Sequence, residues 1–326
     1  MNIIFINARP AQCSIYQTGK NFFEMISCDD YNLDYAEITD LSMEDFLAGK
    51  IVGENLLNYY DVYIFNFHPI TLCRMEGIGT DVIKNFSGIK FNLSFEVAVN
   101  DPYPSHVYNS YQHFDTSVFD HHIIFDSGLY SSNPNYHAFW RPIQGFRYKD
   151  TYRSVPKIPI IGSHGLPNKE KNLDKLIQQA SLEFEKSIVR INMPHATYMG
   201  EDFTQMIADE CLKNVPDNVK LILTHHYFTD RKYLIDWCSQ NDLNVFMYTR
   251  NQPGISSATD EAILSGSPIS ISKDIAFRNL HPYIKPFPEW NFTQSILNSQ
   301  YGIAQFREQL NRNEYITKFK KILNID

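Results

Sequence analysis

With 326 residues the chain is long for one hydrophobic core and has room for two domains of about 150 residues each. Its 43% hydrophobic and 14% aromatic content suits a packed globular enzyme, and no apolar run approaches the roughly 20 residues needed to span a bilayer. A net charge of −8 argues against nucleic acid as a partner, and five scattered cysteines without a C-x-x-C pair exclude a disulfide framework and a structural zinc site.

The chain opens on Met1-Asn-Ile-Ile-Phe-Ile-Asn7, which reads as a buried strand with no signal peptide and predicts a cytoplasmic protein. Strand-like segments follow at Ile3–Ile6, Tyr35–Ile38, Val62–Phe67, Lys90–Phe95 and His122–Phe125. Helical patterns fall near Gly19–Ile26, Met43–Leu57 and Gly79–Phe86. Short, continuously apolar strands alternating with helices predict a parallel sheet covered on both faces. Between Trp140 and Pro159 the rhythm lapses into prolines, Gly145 and charged residues, the composition of a linker.

The rhythm then repeats. Strands are expected at Ile158–Gly162, Ser187–Ile191, Val219–Thr224, Leu243–Tyr248 and Pro268–Ser272, with helices near Leu173–Phe184, Phe203–Leu212 and Asp230–Gln240. The tail from Gln294 to Leu323 spaces Phe306, Leu310, Ile316, Phe319, Ile322 and Leu323 as one apolar stripe. The expected organisation is an α/β chain of two doubly wound, Rossmann-like domains, 1–152 and 153–298, with residues 299–326 forming a C-terminal helix that packs back across the domains.

Gly254-Ile-Ser-Ser-Ala-Thr-Asp-Glu-Ala-Ile-Leu-Ser-Gly-Ser-Pro268 reads as a loop, a short helix, a glycine stop and the start of a strand. Ser257 and Asp260 have capping-box spacing, and small hydroxyls at Ser256 and Ser257 leave backbone N–H groups able to cradle a phosphate. Glu261, one turn in, is placed to accept hydrogen bonds from a ribose. An ordinary strand-to-helix connection would show the same residues.

Two such domains with a carboxylate-bearing helix late in the second resemble the GT-B glycosyltransferases, in particular the family-four retaining type, whose domains face a central cleft. The likeness is carried by Ile160-Ile-Gly-Ser-His-Gly-Leu-Pro-Asn-Lys-Glu-Lys171 and by Thr259-Asp-Glu-Ala-Ile-Leu-Ser-Gly-Ser-Pro268. It implies donor contacts from the Gly162 loop, from Lys171 on the phosphates and from Glu261 on the ribose, to which the loop and helix start add Gly254, Ser256 and Ser257, with Arg250 a further candidate. A lysine beside a glycine loop is a point charge for a diphosphate leaving group. The family's second glutamate, eight residues earlier, is Pro253 here, so Arg250, Asn251 and Gln252 are the substitutes on offer.

In the N-terminal half, Glu96 stands where the family commonly has a histidine near the reacting sugar, and His68 ends an equivalent strand. Both are candidate catalytic groups, with Lys171. Tyr103, Tyr108 and Tyr111 are candidates for stacking on an acceptor sugar, with Asp101 and His106 in the same loop. Arg9 and Arg278 are weaker candidates for the donor side.

No G-x-G-x-x-G or G-x-x-x-x-G-K-[ST] pattern supports a dinucleotide or P-loop site, no D-x-D supports a metal-dependent transferase, and no G-x-S-x-G supports a serine hydrolase. The pairs His121-His122 and His225-His226 point to opposite sides of a strand and do not chelate one ion. The expectation is a metal-independent glycosyltransferase without a cofactor, with a nucleotide sugar as donor and a glycan or small molecule as acceptor. Its rivals are a sugar-nucleotide epimerase, a non-catalytic sugar-nucleotide or glycan-binding module, and a transferase acting on modified DNA bases.

Overall fold

The computed structural model describes residues 1–9, 14–39, 60–66, 83–94, 116–128, 133–195, 201–250 and 254–325. They divide into two compact units, one of residues 1–142, 253–255 and 310–326, the other of residues 143–252 and 256–309.

In the first unit six strands form one parallel sheet: β1 (Asn2–Arg9), β2 (Asn32–Thr39), β3 (Val62–Asn66), β4 (Ile89–Ser94), β5 (His121–Ile124) and β6 (Tyr136–Ala138), in the order β2-β1-β3-β4-β5-β6. The unbroken apolar run of β1 requires cover on both faces. Ile3 and Phe5 share a core with Phe22, Met25 and Ile26 of α1 (Ser14–Ile26), whereas Ile4 and Ile6 share one with Ile38, Tyr63, Phe65 and Phe86. α1 approaches the sheet at Gly19, where a Cβ would lie 2.1 Å from Asn66 Nδ2. That amide donates to the carbonyl of Ile15 at 3.0 Å and to Asn7 Oδ1, joining the carboxyl ends of β1 and β3. The short edge strand β6 carries no pattern that sequence reasoning detected. The helix expected near Met43–Leu57 lies outside the described residues, as does the start of the one near Gly79–Phe86.

The second unit contains β7 (Ile160–His164), β8 (Ser187–Asn192), β9 (Val219–Thr224), β10 (Leu243–Phe246) and β11 (Ile269–Ile271), all parallel, in the order β11-β10-β7-β8-β9. Its helices are α2 (Leu173–Glu183), α3 (Glu201–Leu212), α4 (Arg231–Ser239), α5 (Ala258–Leu264) and α6 (Phe292–Glu308). Ile161, Val189, Ile191, Leu243 and Val245 share a core with Leu176 and Ile177 of α2, Ile207 of α3 and Ile296 of α6. The chain steps outward from β7 through β8 to β9, then returns to β10 on the other side of β7. The topological switch point therefore lies between β7 and β10, and ligands of doubly wound sheets bind at the carboxyl ends of the strands there.

The tail is two helices rather than one stripe. Asn311 accepts a hydrogen bond from Asn313 N at 2.9 Å and caps a new helix, α7 (Arg312–Ile322). Phe306 of α6 packs beside Tyr283 in the second unit, whereas Phe319 of α7 packs beside Phe22 and Phe91 in the first. The segment after residue 142 lies along the second unit: Tyr148 N bonds Leu264 O, Thr151 N bonds Gly266 O, and Arg153 reaches Asp242 Oδ1 at 2.5 Å.

Candidate functional site

At the switch point the loops after β7 and β10 are stitched together. Asn172, at the start of α2, adopts φ 51°, a left-handed conformation that asparagine tolerates better than most residues. Its side-chain amide donates to Met247 O at 2.7 Å, Thr249 Oγ1 at 3.0 Å and Glu170 O at 3.2 Å. Thr249 N donates back to Glu170 O at 2.9 Å, and Asn168 Oδ1 accepts from Glu170 N to close the 3-10 turn Lys169–Lys171. Lys171 is thereby fixed beside the loop that follows β10.

The Lys171 side chain is buried, 8% exposed, with its ammonium 5.5 Å from the Tyr248 ring centre. Gly165 makes room for it: φ there is +117°, and a Cβ would sit 2.5 Å from Lys171 Nζ. Burial first, then the nearby charge of Arg250, pull the Lys171 ammonium down to about 7. Among the described residues no carboxylate acts on it. The guanidinium of Arg250 stands 5.7 Å from the same Tyr248 ring, and its buried Nε has no hydrogen-bond partner. Two basic groups thus share one buried phenol with no anion between them among the described residues, an arrangement relieved either by loss of the Lys171 proton or by an anionic ligand.

Ser256 and Tyr248 line the same place. Ser256 is 6% exposed, its N donates to Ala276 O, and its hydroxyl accepts from Ala258 N at 3.3 Å. The capping box expected of Ser257 and Asp260 does not form. Ser257 has helical dihedrals, φ −80° and ψ −13°, instead of the extended ones that turn a cap hydroxyl onto the third residue, so the neighbouring Ser256 caps instead. α5 is only seven residues long, so the positive charge of this corner is that of Lys171 and Arg250 rather than of a helix terminus.

Glu261, on α5, is partly buried at 15% side-chain exposure. Arg231 of α4 donates Nε to Oε1 at 2.7 Å, and the same guanidinium donates NH1 to Gln144 O at 2.7 Å. Burial pushes the Glu261 carboxyl up, but the Arg231 charge, helped by His164, outweighs it and holds it near 2. His164 Nε2 lies 3.9 Å from Oε2, beyond hydrogen-bond reach, and this buried nitrogen has no other partner. The other side of the imidazole faces the Cys238 thiol at 3.6 Å and the rings of Phe246 and Trp237.

The remaining expectations divide as follows. Gly162 lies inside β7, where a Cβ would meet Asn241 Nδ2 at 2.0 Å, so its missing side chain is used by packing. Gly254 is buried at the start of the loop before α5. Arg278 bonds the carbonyl of Ile275 at 2.8 Å. Glu96, His68, Asn251, Gln252, Asp101, His106 and the tyrosines 103, 108 and 111 lie outside the described residues, as does the side chain of Arg9. Sequence reasoning missed Arg231 and His164: the Ser163-His164 strand end carried a signal, but Arg231 reads as an ordinary helix start.

No protein-family model matches the chain, and no curated protein is similar to it in sequence. Solved structures are. HepE of Anabaena, solved with UDP, with UDP-glucose, and with UDP and glucose, matches at TM-score 0.64 and 11% identity over 99% of both chains in the UDP-and-glucose complex. The lipopolysaccharide outer core galactosyltransferase WaaB matches at TM-score 0.60 and 13% identity over 99% of both chains. Sucrose-phosphate synthase of Thermosynechococcus elongatus matches at TM-score 0.64 and 10% identity, covering 99% of this chain and 98% of that one. These likenesses establish a GT-B fold of two Rossmann-like domains. Among the described residues no helix is long and apolar enough to cross a membrane.

Proposed function

We propose that the chain moves a sugar from a nucleoside diphosphate sugar to a glycan or small-molecule acceptor, without a bound metal ion and with retained configuration. The observation that carries this reading is the pair of basic groups, Lys171 and Arg250, held without a counter-ion among the described residues at the switch point of the second sheet. As the bond from the anomeric carbon to the diphosphate breaks, the electron pair stays on the departing oxygen, and these two cations stabilise the charge that appears. Glu261, kept ionised by Arg231, accepts hydrogen bonds from the ribose hydroxyls. The acceptor oxygen bonds the anomeric carbon and gives up its proton, for which Glu96 or His68 is the assigned base. Shared fold with HepE, which was solved with UDP and UDP-glucose, supports the choice of donor. Retention rests on the resemblance to family-four enzymes alone.

The test is nucleotide release from a panel of sugar nucleotides, with and without EDTA, on the parent and on Lys171→Ala and Glu261→Ala. Release that survives chelation and collapses in both variants supports the donor site and its independence of metal. Variants that behave like the parent overturn the site, and binding without turnover points to a sugar-nucleotide-binding module. The anomeric configuration of the product, read by NMR, decides retention.

A further inference from the structure

Glu261 does not stand alone in the position that the donor reading gives it, and its surroundings are more specific than a ribose contact requires. Arg231 Nε holds Oε1 at 2.7 Å while NH1 holds the carbonyl of Gln144 at 2.7 Å, so the guanidinium is anchored at two points. Its remaining NH2 is buried and has no partner among the described residues. On the other side, His164, only 4% exposed, turns an unpartnered Nε2 toward Oε2 across a 3.9 Å gap. That gap is too long for a direct hydrogen bond, but a hydroxyl entering beside it donates to Oε2 and takes up the vacant ring nitrogen.

We infer that Arg231 is the positioning residue for Glu261: by occupying Oε1 and fixing the carboxylate plane, it leaves Oε2 as the one oxygen offered to a hydroxyl of the donor's ribose. The inference rests on the proposed donor site. An ion pair formed only for stability would not need the carboxylate's second oxygen left open opposite an unpartnered imidazole. The groups facing Glu261 are Arg231 and Cys238 from α4 and His164 from β7, with Asp260 beside it on its own helix. Arg231 is the fixed cation among them, so without it burial, opposed by His164 alone, shifts Glu261 toward the protonated acid, which offers a hydroxyl no ionised acceptor.

The experiment titrates the intact protein with UDP, GDP and ADP, then compares the tightest of these with its 2′,3′-dideoxy counterpart from pH 5 to 8. The wild type is expected to prefer the ribonucleotide by about 10- to 100-fold, the value of a hydrogen bond to a charged acceptor, with little pH dependence. Arg231→Met is expected to bring that ratio to within about 2-fold at pH 5 and to restore part of it as pH rises, since the carboxylate then ionises. Arg231→Lys keeps a cation and so a flat pH profile but loses the two-point fork, and it carries the test if the methionine variant does not fold. An unchanged ribose preference and a flat profile in Arg231→Met overturn the inference. A wild type that binds the nucleotide without preferring the ribose form overturns it too, leaving the donor site standing. A wild type that binds none of the three overturns the donor reading and this inference together.

Discussion

Replacing Lys171 by methionine, which fills a similar volume without the charge, is expected to make the protein more stable and less able to bind a nucleotide. The buried ammonium sits beside Arg250, and its proton affinity falls from 10.5 in the unfolded chain to about 7 in the folded one. Between those two values the unfolded chain holds a proton that the folded one has lost, so this lysine's penalty is full below pH 7 and fades as pH rises toward 10.5. At about 1.36 kcal/mol per pH unit, the shift corresponds to a penalty of roughly 5 kcal/mol at pH 6 and roughly 2 kcal/mol at pH 9. Urea denaturation of both proteins at pH 6 and 9, in phosphate-free buffer, reads the difference as a shift in midpoint, followed by a probe in the second unit because two-domain chains need not unfold in one step. Lys171→Met should gain more at pH 6 than at pH 9, and added nucleoside diphosphate should stabilise the parent far more than the variant. A variant no more stable than the parent at pH 6, or equally stabilised at both pH values, would show that the ammonium is not held unpaired in a dry site, and the argument for an anion site would fail with it.

Gly165→Ala should weaken nucleotide binding, because φ of +117° strains any side chain and the added Cβ falls 2.5 Å from Lys171 Nζ; nucleotide titration checks it. Asn172→Ala removes three hydrogen bonds and the residue suited to the left-handed turn, and should cost about 2–4 kcal/mol by urea denaturation as well as loosening Lys171. A cost below 0.5 kcal/mol, about the scatter of surface substitutions, would mean the stitch between the loops does not form. In the first unit, His137 Nε2 lies 3.1 Å from His121 Nδ1, and burial, with His121, brings the His137 imidazole down to about 4. Unfolded histidine takes a proton near 6.5, so the pair's contribution is intact above that pH and lost as pH falls toward 4. His137→Gln should therefore flatten the thermal midpoint of the first unit over that window, and an unchanged slope would count against the pair.

What the sequence determines by itself is everything set within a few residues. The runs at Ile3–Ile6 and Val62–Phe67, alternating with helical stripes, call for parallel sheets; both units have them, and the first unit packs apolar residues on both faces of its sheet. The glycine loop before Lys171 and the start of α5 near Ser256 are legible for the same reason, since turns and caps are local events. Even there the reading slipped by one residue, because whether Ser256 or Ser257 caps depends on dihedrals that neighbouring loops impose. Three features are decided only by the tertiary structure. The order β11-β10-β7-β8-β9 places Arg250 beside Lys171, and no local pattern encodes which strand becomes a neighbour. Among the described residues the same packing leaves that pair without a counter-ion, whereas Arg231 and Glu261, 30 residues apart, meet across two helices and neutralise each other. The tail's single apolar stripe likewise breaks at the Asn311 cap, leaving Phe306 beside Tyr283 in the second unit and Phe319 in the core of the first. Periodicity reports which face of an element is apolar, but which charge that face brings to which partner, and which stays unpaired, is settled only when distant strands lie side by side.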